Sequence, residues 1–260
     1  MPSKGAAKEE SAKIARAFGV VSAATGASRV FGLLRDSLTA ALFGASGVMD
    51  AFFVAYRLPN LFRALLAEGT LTTSFVPVYS EVLEKEGEEA AGKLGRVAFT
   101  ALFLFLCFFV ALGVVFAPFV IKLMGMGFYD SPEKFSLTVT LSRWLFPFIG
   151  MASLTALAGG ILNARGIFLY PALAPVTLNA VIIAVTWLFY SATNPPVLAL
   201  ALGVLAGGTA QFVLQLFPLR STGFRFYPDF DFGCAHLKKI ILLAGPSIFG
   251  VAVYQINILV

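Results

Sequence analysis

Seven stretches of this chain are each apolar for about the length that a bilayer core demands. They run roughly over 14–42, 49–80, 97–122, 137–162, 167–191, 196–218 and 239–260. A helix needs about 20 apolar residues to cross the hydrocarbon core. Inside lipid every backbone N–H and C=O must be satisfied within the protein, which leaves helices and closed barrels as the spanning structures. Composition agrees, with 58% hydrophobic and 13% charged residues, against about 25% charged in a soluble domain. The pattern predicts an all-α polytopic membrane helix bundle, with six transmembrane helices and the start of a seventh. Residues 1–13 are expected to form a cytoplasmic N-terminal segment and 14–218 a six-helix lobe. Residues 219–238 then form a cytoplasmic loop, and 239–260 begin a second, truncated lobe.

Orientation follows from the placement of Lys and Arg. With the N-terminus inside, the inner segments hold twelve basic residues: Lys4, Lys8, Lys13, Arg16, Lys85, Lys93, Arg96, Arg165, Arg220, Arg225, Lys238 and Lys239. The outer loops and their edges hold three, Lys122, Lys134 and Arg143. The bias predicts a cytoplasmic N-terminus. That terminus, MPSKGAAKEESAKIAR, carries no cleavage pattern, so the first helix is expected to serve as its own insertion signal.

The first hairpin departs from this apolar plan. Arg29, Arg35, Asp36, Asp50, Arg57, Arg63 and Glu68 lie within SRVFGLLRDSLTAALFGASGVMDAFFVAYRLPNLFRALLAEG. A charge at the bilayer centre costs about 3 kcal/mol on insertion scales, and such residues face a wet cavity or one another. Arg29 and Asp36 are seven apart and share a helix face, as do Asp50, Arg57 and Glu68 at spacings of seven and eleven. Four arginines against three carboxylates leave one positive charge over. The arginine fork suits phosphate, since it donates two parallel charge-assisted hydrogen bonds and stays ionised. Arg29, Arg35 and Arg63 are therefore the candidate anion-binding set, while Asp36, Arg57 and Glu68 fit structural pairing between helices. Pro59 is expected to break the second helix, Gly26 and Gly32 to loosen the first, and Gly44 to Gly47 to form the turn between them.

The remaining polar residues carry weaker signals. Arg165 reads as a positive-inside anchor, and Thr177, Asn179, Gln211 and Gln215 as interhelical hydrogen-bonding groups. Gly203 and Gly207 form a GxxxG for close packing. His236, alone in a loop, receives no role. EVLEKEGEEAAGKLGR (81–96) reads as a charged helix end, and FPLRSTGFRFYPDFDFG as a short hairpin or interfacial segment. Cys107 and Cys234 give neither a disulfide framework nor metal-ligand spacing. No catalytic or nucleotide-binding motif is present, so no enzyme activity, metal, cofactor or nucleic-acid partner is expected.

SRVFGLLRD, FGAS, DAFFVAYRLPNLFR and LLAEGTLTTSFVPVYSE, with GGILNARGIFLYPALAPVTLN and AGPSIFGVAVYQIN further on, resemble the MurJ (MviN) family. These are lipid II flippases of the MOP exporter superfamily. The resemblance implies a transporter in the bacterial inner membrane. Its cargo would be lipid II, the undecaprenyl-diphosphate-linked peptidoglycan precursor, moved to the outer leaflet by alternating access. It implies substrate-binding roles for Arg29, Arg35, Arg63 and Ser28, and charge-balance or coupling roles for Asp50 and Glu68. Family members are about twice this length, so the chain is expected to be a fragment, or half of a split assembly that needs a C-terminal partner lobe. The rival readings are a MOP-type exporter of another polyprenyl-linked sugar or of a drug, and a non-transporting scaffold in cell-wall assembly.

Overall fold

The computed structural model describes the backbone of residues 4–124 and 131–259, and side chains over 18–65, 71–123 and 131–248. Among these residues the chain is helical almost throughout and contains no strand. The helices are α1 (Lys4–Phe43), α2 (Gly47–Arg63), a π-helical segment (Ala64–Phe75), α3 (Val76–Lys85), α4 (Glu88–Met124), α5 (Pro132–Leu145), α6 (Pro147–Ala164), α7 (Leu169–Phe189), α8 (Val197–Ser221) and α9 (Ala235–Leu259). The π-helical segment joins α2 to α3 without interruption, and α5 runs into α6 at Phe146, so each group forms one rod. The rods coincide with the apolar segments of the sequence. Four of them are long and apolar enough to cross a bilayer by length and composition: Glu88–Leu123, Pro132–Ala164, Leu169–Phe189 and Val197–Ser221. The charged hairpin is not among these four.

The turn between α1 and α2 forms where the sequence placed it. Gly44 takes φ +58°, a left-handed conformation that ends a helix at no steric cost. Ser46 then caps α2, its side chain accepting from the Met49 N–H, and Asp50 lies in the first turn, where a carboxylate complements the helix dipole.

Two expectations fail here. α2 runs through Pro59 without ending, and α1 runs unbroken through Gly26 and Gly32. The irregularity comes later, in the twelve residues Ala64–Phe75. The wider π turn is a local ladder change in a stretch that itself contains no proline, with Pro77 just beyond it, and such turns recur at functional sites. The segment is held by tertiary contact, including a 2.9 Å hydrogen bond from Thr73 to Ser247 of α9. Gly32 faces Asn179 of α7: a Cβ there would meet the Asn179 Nδ2 at ordinary contact distance, 3.8 Å.

Packing follows small residues. A Cβ on Gly203 would stand 3.1 Å from the Ile182 carbonyl oxygen, and one on Gly207 2.8 Å from that of Leu178. The GxxxG of α8 thus brings it against the backbone of α7. Gly113 of α4 makes room in the same way for the Phe146 ring at the α5–α6 joint. Two large buried clusters result. One gathers Phe75, Tyr79, Leu157, Ile161, Leu219 and Phe224; the other gathers Phe52, Leu141, Leu145, Phe148, Ile182 and Val204. The most apolar stretch of α5–α6 is 83% buried and that of α4 only 17%. α5–α6 is therefore the central post, and α4 turns Phe108, Val115, Phe116 and Phe119 outward.

One end of the bundle is bound by ion pairs. Glu81 bonds Lys85 (3.0 Å) and Lys239 (2.6 Å), and Lys93 bonds Asp231 (2.6 Å). His236, which the sequence left without a role, meets Glu86 at 2.9 Å. Arg165 is more than an anchor. Its side chain is 9% exposed, pairs with Glu88 at 2.6 Å, and donates to the Tyr79 hydroxyl and the Thr222 carbonyl. It joins α3, α4 and the segment after α8. Within the 219–238 loop, residues 224–231 form an extended strap rather than a hairpin. Phe224 and Phe226 pack on Phe99, and Arg96 lies 4.3 Å from the centre of the Tyr227 ring.

Two outcomes follow. Gly207→Val forces a side chain into the α7 backbone, and overpacking costs about 1–3 kcal/mol. Detergent thermal unfolding should show a clear fall in Tm, while Gly150→Ala, which adds a methyl in open space, leaves it unchanged or slightly higher. At the ion-paired end, the hydrogen bonds from Lys239 and Lys85 hold the Glu81 carboxyl at about 2, below its ordinary 4.5. A carboxylate depressed in the folded state contributes stability above its unfolded value and loses it as pH falls through the folded one. In a His236→Gln background, amide protection factors over Ile240–Leu243 of α9 should be flat from pH 8 to 5 and fall slightly only below about 4.5. In Glu81→Gln they should be slightly lower throughout and lose this acid dependence, since an exposed ion pair contributes little.

Candidate functional site

The charges of the hairpin lie at different depths. Counted from the 44–46 turn at 1.5 Å per residue, Asp50 is at the end of the bundle, Arg35 about 13 Å along α1 and Arg63 about 24 Å along α2.

Arg35 is half-buried, and three of its five N–H donors are engaged. Nε and Nη2 both donate to Asp36 Oδ1, at 3.0 and 2.8 Å, and Nη1 donates to Asn179 Oδ1 at 2.9 Å. The Asp36 side chain is 66% exposed, so the pair sits at a cavity wall rather than in the core. That cavity has a volume of 580 Å³ and is lined by Arg35, Asp36, Thr39, Phe52, Tyr56 and Ile182 among others. Asn179 is an interhelical hydrogen-bonding group, as the sequence indicated, and its partner is the cavity arginine. Asp36 was expected to bridge helices from the Arg29 face. It instead pairs with its own neighbour on α1, because the Arg35 side chain can fold back along the helix to reach it.

Arg63 is half-buried at the end of α2 and donates to Asn60 Oδ1 at 3.1 Å. It lines a second cavity of 330 Å³, between the π-helical segment, α6, α7 and α8. Leu178 lines this cavity and Ile182 the first. The two cavities therefore rest against successive turns of α7.

The other candidates are more dispersed. Ser28 is half-buried and Arg29 exposed on α1. Arg57 is exposed on α2 and, among the described residues, makes no ion pair, so its expected bridge is not met there. Asp50 bonds Lys134 at 2.8 Å and so ties α2 to the start of α5. Lys134, counted only as an outer-loop charge, was missed; its stem passes over Gly47, 3.8 Å from where a Cβ would stand. Glu68 falls in the π-helical segment, where the α-helical phase behind the one-face expectation no longer holds. Its side chain lies outside those described. Gln211 and Gln215, expected as interhelical hydrogen-bonding groups rather than ligands, are both buried at the Arg63 cavity. Among the described residues no group of His, Cys, Asp and Glu is arranged to hold a metal ion.

The family model of Lipid II flippase MurJ matches residues 39–260. A protein of Burkholderia cenocepacia described as lipid II flippase MurJ is 36% identical over 249 residues, which are 94% of this chain and 48% of that protein. A probable lipid II flippase MurJ of Rhizobium meliloti is 34% identical over 251 residues, 95% of this chain and 47% of its own. A solved structure of lipid II flippase MurJ in an inward closed conformation aligns with a TM-score of 0.75 at 30% identity, over 91% of this chain and 48% of that one. The chain spans about half the length of the curated relatives it matches. With four apolar helices of spanning length, it is a multi-pass membrane protein. By family match, sequence identity and fold together, the chain belongs to the MurJ family of lipid II flippases.

Proposed function

We propose that this chain is the lobe of a lipid II flippase that captures the diphosphate and headgroup of the cargo, and that it transports rather than catalyses. The observation that carries the reading is the Arg35 fork at the wall of a 580 Å³ cavity, in a chain whose relatives are described as lipid II flippases.

The chemistry is exchange of hydrogen bonds. In the empty cavity Asp36 occupies two donors of Arg35. A phosphate oxygen offers the same acceptor geometry with more charge, so it competes with Asp36 for the fork. Asn179 holds the third donor and keeps the guanidinium aimed while this happens. Arg63, deeper along the bundle, takes a second part of the headgroup, and Arg29 and Ser28 on α1 guide its approach. The polyprenyl tail remains in lipid along the outer surface. A second lobe, supplied by the rest of a full-length flippase, closes over the cavities and rocks against this one. The Asp50–Lys134 pair lies at the far end of the bundle. A charge moved through the membrane field feels the potential, which suits Asp50 at this end, and Glu68 in the π-helical segment further along, to charge balance or coupling. The host is a bacterial inner membrane, with the N-terminus in the cytoplasm as the Lys and Arg bias supports.

Two measurements on the full-length protein in vesicles test this. Arg35→Ala and Arg63→Ala should each slow flipping of lipid II at least tenfold with insertion unchanged; flipping retained by both sinks the site. Asp36→Asn removes the competitor for the fork. It should leave the binding of undecaprenyl diphosphate unchanged or tighter, whereas weaker binding by more than threefold would make Asp36 part of the binding set.

A further inference from the structure

The cavity beside Arg63 differs chemically from the one beside Arg35. Its wall is built of small residues, including Gly159 and Pro175, and its floor carries two amides, Gln211 and Gln215. Gln215 is 1% exposed and Gln211 6%. The Gln215 Oε1 accepts no hydrogen bond. It lies against Gly159, where a Cβ would come within 3.1 Å of it. Thr155 has spent its hydroxyl proton on the Met151 carbonyl. A buried acceptor left unpaired is costly, and native folds keep one where a ligand or water completes it.

The lining specifies the missing partner. Arg63, at the end of α2, is the one charged residue among the described residues that line this cavity. An ammonium group would find no carboxylate among the described lining residues, and a carboxylate, an acceptor only, has no N–H or O–H to offer the Gln215 oxygen. A neutral group that both donates and accepts fits two glutamine amides, each with one acceptor and two N–H donors. A secondary amide has this form, and its methyl end suits a wall of glycine, alanine and proline.

We infer that this annex receives the acetamido group of a sugar whose phosphate is held at Arg63. The inference rests on the flippase reading and adds to it a determinant of headgroup specificity. Gln215 accepts the amide N–H, Gln211 donates to its carbonyl, and Gly159 keeps the space open.

The test uses the full-length protein and two lipids that differ at one group, undecaprenyl-diphospho-N-acetylglucosamine and undecaprenyl-diphospho-glucose. The wild type should bind the first about tenfold more tightly, the value of one or two hydrogen bonds in a buried site. Gln215→Leu should abolish this preference while leaving affinity for the glucosyl lipid unchanged. Loss of an unpaired buried acceptor carries no folding penalty of its own, and Gln211→Leu provides a second variant with the same expected loss. Arg63→Gln should weaken both lipids in parallel. No preference in the wild type, as for an annex that holds only water, or a preference that survives both glutamine variants, overturns the assignment. Binding of neither lipid by the wild type overturns the flippase reading itself, and the annex with it.

Discussion

An arginine within an apolar bundle is tolerable only while its donors are satisfied, and much of this architecture serves that condition. Arg35 needs Asp36 beside it and Asn179 across from it. Asn179 reaches across from α7, passing beside Gly32 of α1. α7 in turn is fixed by the glycines of α8 at the level of Leu178 and Ile182, which flank Asn179. The cavity arginine, its support and the packing that places the support thus form one chain of dependence across three helices. Such support is what separates a preorganised site from a charge stranded in lipid.

Arg165 meets the same condition at the ion-paired end with different means. It is nearly buried and satisfied by Glu88, Tyr79 and a backbone carbonyl. Removing one partner of such a group leaves a charge uncompensated, which is why buried pairs cost more to break than they contribute when intact. The two arginines show how placement divides labour. Arg165 is locked by partners on several elements, whereas Arg35 leans on a carboxylate that is itself largely exposed.

Much of the fold was legible because it depends on local pattern. Apolar run length gave the rods, Gly44 to Gly47 gave the turn, and Gly203 with Gly207 gave a helix contact. Features set by tertiary contact were not legible. The π-helical segment itself contains no proline and no glycine pair, and Pro59, the obvious breaker, does not break. Within the site, residue type pointed to the arginines but periodicity mispaired Asp36. Helix phase compares positions along an axis and ignores the reach of a long side chain to its immediate neighbour. Lys134 and His236 were invisible as partners because Asp50 and Glu86 are remote in sequence.

The α7–α8 seam has a mechanical consequence. Where backbone meets backbone there are no side chains to change rotamer, and a close-packed interface yields little to compression. The two helices therefore behave as a stiff plate. α1 lies along this plate and is tied to it by two polar links, the Arg35–Asn179 bond and the Tyr190 hydroxyl on the Leu42 carbonyl. Any displacement of α1 along the plate therefore has to break or remake the Arg35–Asn179 bond, at the wall of the Arg35 cavity.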